Sequence, residues 1–150
     1  MSVIRPPVRP NRVEPVLLER LRDRFHGVEF GTVRNRGNPP RECVRFGTVR
    51  NRGNPPRECV LLAVPGRKAT PVSQQTRLRV SVWVRRDDGT GDIDAAQNLA
   101  ADIELYLTGL YPPRPVVTID HESGPIRMSD ENGCLMAYLT LLLTVETNQA

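Results

Sequence analysis

Residues 30–44 read FGTVRNRGNPPRECV, and residues 46–60 read the same fifteen letters, with Arg45 between them. Repeat architectures stack three or more diverged units, because one unit alone cannot bury its apolar face. Two copies without divergence instead mark a recent tandem duplication or a cloning error. Such an insertion limits the fold. In a meander, one added strand and turn reverse the direction in which the next strand enters the sheet. The expectation is therefore that one copy keeps the original position and the other is looped out as a hairpin or arm. Surface insertions of that kind cost only about 0.6 kcal/mol of closure free energy per doubling of loop length. Removing residues 31–46 rejoins the chain seamlessly, takes away four arginines and one glutamate, and lowers the formal charge from +4 to +1. Most of the apparent basicity is the duplication.

The remaining composition is that of one globular domain. A chain of 150 residues with 39% apolar and 25% charged residues buries a substantial core. Fourteen prolines point to long ordered loops or arms. Among the basic residues only Lys68 is lysine. Arginine suits phosphate and carboxylate forks, but a GC-rich genome produces the same bias. Cys43 and Cys59 are one repeat position counted twice, which leaves Cys134 as the only independent partner. None of the three stands in a zinc-like spacing, so reduced, partly buried thiols are expected. The first fifteen residues have no apolar core of the kind a signal peptide needs. The apolar run around Leu141–Leu143 is far too short for a bilayer span. A soluble protein is expected.

Periodicity orders the elements. Residues 1–12 read as an extended arm. Asn11 and Glu14 have capping-box spacing, and Leu17, Leu18, Leu21 and Phe25 continue at helical spacing until Gly27. A strand starts at 28–33, and residues 34–42 can only be loop. Residues 59–64 form a buried strand that Pro65-Gly66 ends. Residues 75–86 are the clearest strand: Leu78, Val80, Val82 and Val84 lie on one face, Arg77, Arg79, Ser81, Trp83 and Arg85 on the other. A helix follows over about 93–108, with the stripe Ile93, Ala96, Ala100, Ile103, Leu107 and Leu110, and Asp94 with Gln97 as its capping box. Residues 116–121 are a short strand, 123–133 a polar connection, and 135–147 a long alternating strand. The fold class is α+β: a single mixed, mostly antiparallel sheet with two helices on one face, an N-terminal arm and a duplicated loop or hairpin. Residues 75–147 are its strand–helix–strand–strand core.

Motifs for chemistry are weak. The stretch 86–94, RDDGTGDID, resembles a calcium loop, but Arg86 falls at the first ligand and Gln97 at the twelfth. A strand–turn–helix connection with an acidic cap is the better reading. His26 and His121 are the only histidines, and His121-Glu122-Ser123 is adjacency rather than a triad. No nucleophile elbow, phosphate loop or dinucleotide fingerprint is present. No enzyme, cofactor or metal site is expected. The loop arginines Arg34 and Arg36 with their copies Arg50 and Arg52 lack interleaved aromatic residues, so base stacking is not indicated. Phosphate contact and salt bridges to a neighbouring subunit both remain open for them, the second favoured.

Two strands carry more apolar surface than one sheet face needs. Trp83 lies on the face of Arg79 and Arg85, where either an arginine stem or another chain covers it. Met136, Tyr138 and Leu142 occupy the second face of the closing strand. These six residues, with the four loop arginines, are the candidate interface. Trp83→Asp is expected to impair assembly more than folding.

From residue 75 onward the strand VSVWVRR, a small acidic turn, the helix DAAQNLAADIELYL, a short strand and a long closing strand resemble the tail terminator (tail completion) proteins of long-tailed bacteriophages. That resemblance is closer with one copy of the duplicated segment than with two. It implies a virion structural protein of the tail, made in the host cytoplasm. Such subunits form a homo-oligomeric ring, usually a hexamer, at the head-proximal end of the tail tube. The ring ends tube growth and docks to the head–tail connector protein, and DNA passes through it without sequence-specific contact. No membrane partner is implied. The competing reading is a small basic nucleic-acid-binding module, whose affinity falls steeply with salt.

Overall fold

A computed structural model describes residues 9–10, 12–32, 56–87, 90–130 and 133–148. The elements are β1 (Arg9–Pro10), α1 (Glu14–Arg24), β2 (Glu29–Gly31), β3 (Arg57–Thr70), β4 (Ser73–Val84), α2 (Ile93–Gly109), β5 (Val116–Ser129) and β6 (Leu135–Asn148). One mixed sheet runs β2-β3-β4-β6-β5, and β1 adds two residues at the far end of β6. Among the described residues only the β2–β3 pair is parallel; every other neighbour is antiparallel. The α+β class and the single, mostly antiparallel sheet are as expected.

The alternation of β4 sets the layers. Leu78, Val80 and Val82 are fully buried and join Leu61 and Cys59 of β3 and Ala137, Leu139, Leu141, Leu143 and Val145 of β6. Both helices cover this inner face. α1 contributes Leu17, Leu18 and Leu21, and α2 contributes Ala96, Ala100, Ile103 and Leu107, the expected stripe at a 3.6-residue period. The helices meet through Tyr106 of α2, whose ring stands edge-on to Phe25 with centroids 5.8 Å apart.

Several local expectations change. The start of α1 is Val13, which makes no side-chain cap bond, and Asn11 lies outside the described residues. The cap of α2 is Asp92, whose side chain accepts from the Ala95 N–H at 3.1 Å; Asp94 sits within the first turn, where its charge suits the helix dipole. Pro65-Gly66 does not end β3. The strand continues to Thr70, with register shifts after Pro65 and after Lys68. Proline is tolerated there because β2 pairs only with Glu58, Cys59 and Val60, so the later half of β3 is a sheet edge on that side.

β5 departs most. Where a short strand and a polar connection were expected, it pairs with β6 from Val116 to Ser129. Irregular steps between Val116 and Thr118, His121 and Ser123, and Ser123 and Ile126 break its alternation. At Gly124, φ is +85°, and an added Cβ would lie 2.5 Å from the Tyr138 carbonyl oxygen. Only glycine lets the two backbones approach so closely. Cys134, expected as a reduced thiol, is disulfide-bonded, its partner lying outside the described residues; Cys59 is free and buried. Residue spacing along the chain carries no information on a pair that the fold brings together.

Candidate interaction face

The sheet has a second face, opposite the helices. Cross-strand register arranges it in rows. Glu58 of β3 lies opposite Trp83 of β4, and Met136 of β6 lies opposite Met128 of β5. Val60, Ser81, Tyr138 and Ile126 form the next row, and Leu62, Arg79, Thr140 and Ser123 the one after. Val64, Arg77 and Leu142 follow.

One end of this face is closed by the chain itself. Trp83 is 6% exposed and packs with Cys134 and Met136, with Val60 and Tyr138 at their margin. Its indole N–H donates to Asp130 Oδ2 at 3.1 Å, and Asp130 Oδ1 accepts from the Cys134 N–H at 2.8 Å. Asp130 therefore ties the β5–β6 turn to the tryptophan. Arg85 and Glu58 are buried at the same end. The centre and the β5 side are open. Leu62 is 46%, Ile126 51% and Met128 37% exposed, with Val60, Val64, Tyr138 and Leu142 half-buried around them. Among the described residues no helix covers them. Beyond Leu142 the face turns polar. Arg77 forks onto Glu122, with Nε donating to Oε2 at 2.8 Å and Nη2 to Oε1 at 2.7 Å. This bridge joins β4 to β5 across β6. Arg77 holds the Glu122 carboxyl below the usual carboxylate range, chiefly by hydrogen bonding.

The sequence candidates divide accordingly. Tyr138 and Leu142 line the open region, and Arg79 is exposed within it. Met136, Arg85 and Trp83 are buried within their own chain at the closed end of the face. Arg34, Arg36, Arg50 and Arg52 lie outside the described residues. Leu62, Ile126 and Met128 were not among the candidates. The period-two spacing of Ile126 and Met128 was the available signal, hidden behind Gly124-Pro125.

Catalytic readings gain no geometry. His121 pairs through Nδ1 with Glu104 of α2, Glu122 with Arg77, and Ser123 Oγ with Thr140 Oγ1 at 2.6 Å. The three adjacent residues thus engage three different partners. The acidic loop before α2 is organised by Arg86, which donates from Nη1 to the Gly91 carbonyl oxygen at 3.0 Å and approaches Asp92. Among the described residues no group of three or more His, Cys, Asp or Glu is placed to hold a metal ion, and no helix is long and apolar enough to cross a membrane. Neither protein-family models nor the curated proteins give a match to this chain.

Proposed function

We propose that this chain is a structural subunit of the tail terminator kind in a long-tailed phage virion. Its copies close into a ring, a hexamer in the reading the resemblance suggests, at the head-proximal end of the tail tube. The ring meets the tube protein on one side and the head–tail connector protein on the other, and DNA passes through its lumen without sequence-specific contact. The observation that carries the reading is the open apolar region around Leu62, Ile126 and Met128 on the helix-free side of the sheet. Exposed apolar side chains interspersed with arginine on one sheet face are characteristic of an association surface. A closed ring needs two different patches on each subunit that complement one another. The helix-free sheet face is one candidate patch, and Leu105 of α2, 75% exposed, marks the helical side as the other. No catalytic step belongs to this role.

The test combines native mass spectrometry with negative-stain electron microscopy of the purified chain and of Leu62→Asp/Ile126→Asp. The wild type is expected to give closed rings, and the double variant monomers with an unchanged circular dichroism spectrum. Rings that survive the double variant would remove this face from the assembly. A strict monomer that retards a duplex DNA probe, with affinity falling steeply with salt, would replace the whole reading by the nucleic-acid-binding module.

A further inference from the structure

The open sheet face needs a complement, and the helical layer carries one on α2 rather than α1. Leu105 and, at 92%, Tyr111 are the two most exposed large apolar side chains among the described residues. Leu105 sits midway between Ile103 and Leu107, both fully buried, so a period of 3.6 residues turns it away from the core. Tyr111 follows just beyond the end of α2. No large apolar side chain of α1 is exposed; its outer side carries Glu19, Arg20, Asp23 and Arg24.

The two surfaces also differ in sign. α2 contains Asp94, Asp102 and Glu104 and neither lysine nor arginine. Glu104 is engaged by His121, whereas Asp94 and Asp102 are exposed. Asp102 precedes Leu105 by three positions and so lies beside it, one turn back along the helix. On the sheet face Glu122 is neutralised by its fork with Arg77, and Glu58 and Arg85 are both withdrawn into the closed end. Arg79 is exposed, in register with Leu62 and one row from Ile126. Each surface thus sets an exposed charge beside large apolar side chains, and the charges are opposite.

The geometry points to the outer side of α2 in a second copy of this chain as the occupant of the open sheet face. Leu105 of one copy then lies among Leu62, Ile126 and Met128 of the next, and Asp102 faces Arg79. This pairing rests on the association role proposed above for the sheet face and names what fills it. It is heterologous: after one contact the pair still presents one free α2 and one free sheet face, so copies add head to tail until a ring closes. Sheet-to-sheet pairing about a two-fold axis would instead bring Arg79 towards Arg79 and stop at two copies.

The test mixes two blocked subunits and follows them by native mass spectrometry. Leu62→Asp/Ile126→Asp blocks the sheet face and leaves α2 intact. Leu105→Lys blocks α2, keeps a good helix former near the helix C-terminus, and meets Arg79 with a like charge. Each alone is expected to be monomeric, and an equimolar mixture to give a one-to-one heterodimer that grows no further. Rings that survive Leu105→Lys while the sheet variant is monomeric overturn the pairing and leave the association role of the sheet face standing. A monomeric wild type overturns both. A mixture that stays monomeric overturns the pairing, and so do dimers of Leu105→Lys alone. Charge exchange reads the ion pair separately. Arg79→Glu and Asp102→Arg are each expected to weaken association by about three- to tenfold, and the double variant to recover most of that loss. A double variant no better than either single one removes Arg79 and Asp102 from the contact.

Discussion

Trp83 separates what holds the protomer together from what its surface does. On sequence it is a contact residue for another chain, and Trp83→Asp is expected to impair assembly before folding. The structure reverses that order. The indole is buried within its own chain, packed on Cys134 and Met136 and bonded to Asp130. Truncating a core tryptophan costs about 3–5 kcal/mol. The lower end applies to Trp83→Ala, because Val60 and Tyr138 are only partly buried and can close over the gap. Trp83→Phe keeps most of the apolar contact and loses the bond to the carboxylate, which costs about 1–2 kcal/mol. Trp83→Asp buries a further carboxylate beside Asp130 and opposite Glu58 and should be the worst of the three. Urea unfolding followed at 222 nm, at protein concentrations low enough to suppress association, measures these losses without needing indole fluorescence. The expected order of stability is wild type, Phe, Ala, Asp. An alanine variant within about 0.5 kcal/mol of wild type, small against the usual cost of truncating a core tryptophan, would refute Trp83 as an internal anchor and restore it as a contact residue.

Two further outcomes follow from titratable groups. Burial, and next the neighbouring Glu58, push the Cys59 thiol pKa far up, so the native chain should resist iodoacetamide at pH 8 and label Cys59 only on unfolding. This can be followed on the tryptic peptide ending at Arg67; rapid native labelling would show that the β3 core is open. Glu122, held low by Arg77, contributes stability that is present above the ordinary carboxyl pKa and lost as pH falls through its lowered folded value. The stability gap between wild type and Glu122→Gln should therefore narrow below about pH 4 and also shrink with added salt; a gap independent of pH would mean that the fork contributes nothing.

The elements legible in the sequence are those whose burial keeps an unbroken period. Leu78, Val80 and Val82 alternate without interruption, and Ala96, Ala100, Ile103 and Leu107 keep helical spacing, so β4 and α2 are readable with their faces. β5 is only half legible because irregular steps on either side of Ser123 interrupt its alternation between Ile119 and Ile126. Gly124-Pro125 reads as a turn, yet here it lets the strand bend against Tyr138. The face of Trp83 was legible, but its burial was not. That depends on the turn held by Asp130, a contact 47 positions away in sequence. The open region around Leu62 and Ile126 needed cross-strand register, which no single-strand pattern contains.

The tolerance of the duplication has its own physical reason. Parity is a difficulty only where an added strand enters a meander. The duplicated residues instead span the connection between β2 and β3, which pair in parallel. A parallel pair already needs a crossover connection rather than a tight turn. With one copy, that connection would be about nine residues long; with two it covers residues 32–56. By chain-closure entropy, lengthening a connection by that ratio costs about 0.9 kcal/mol. The same sixteen residues placed in the β3–β4 hairpin, where Pro71 and Val72 alone form the turn, would separate strands paired from Arg57↔Val84 to Thr70↔Ser73. An insertion is therefore mild where topology already demands a long excursion, and the sheet beyond it keeps its direction and register.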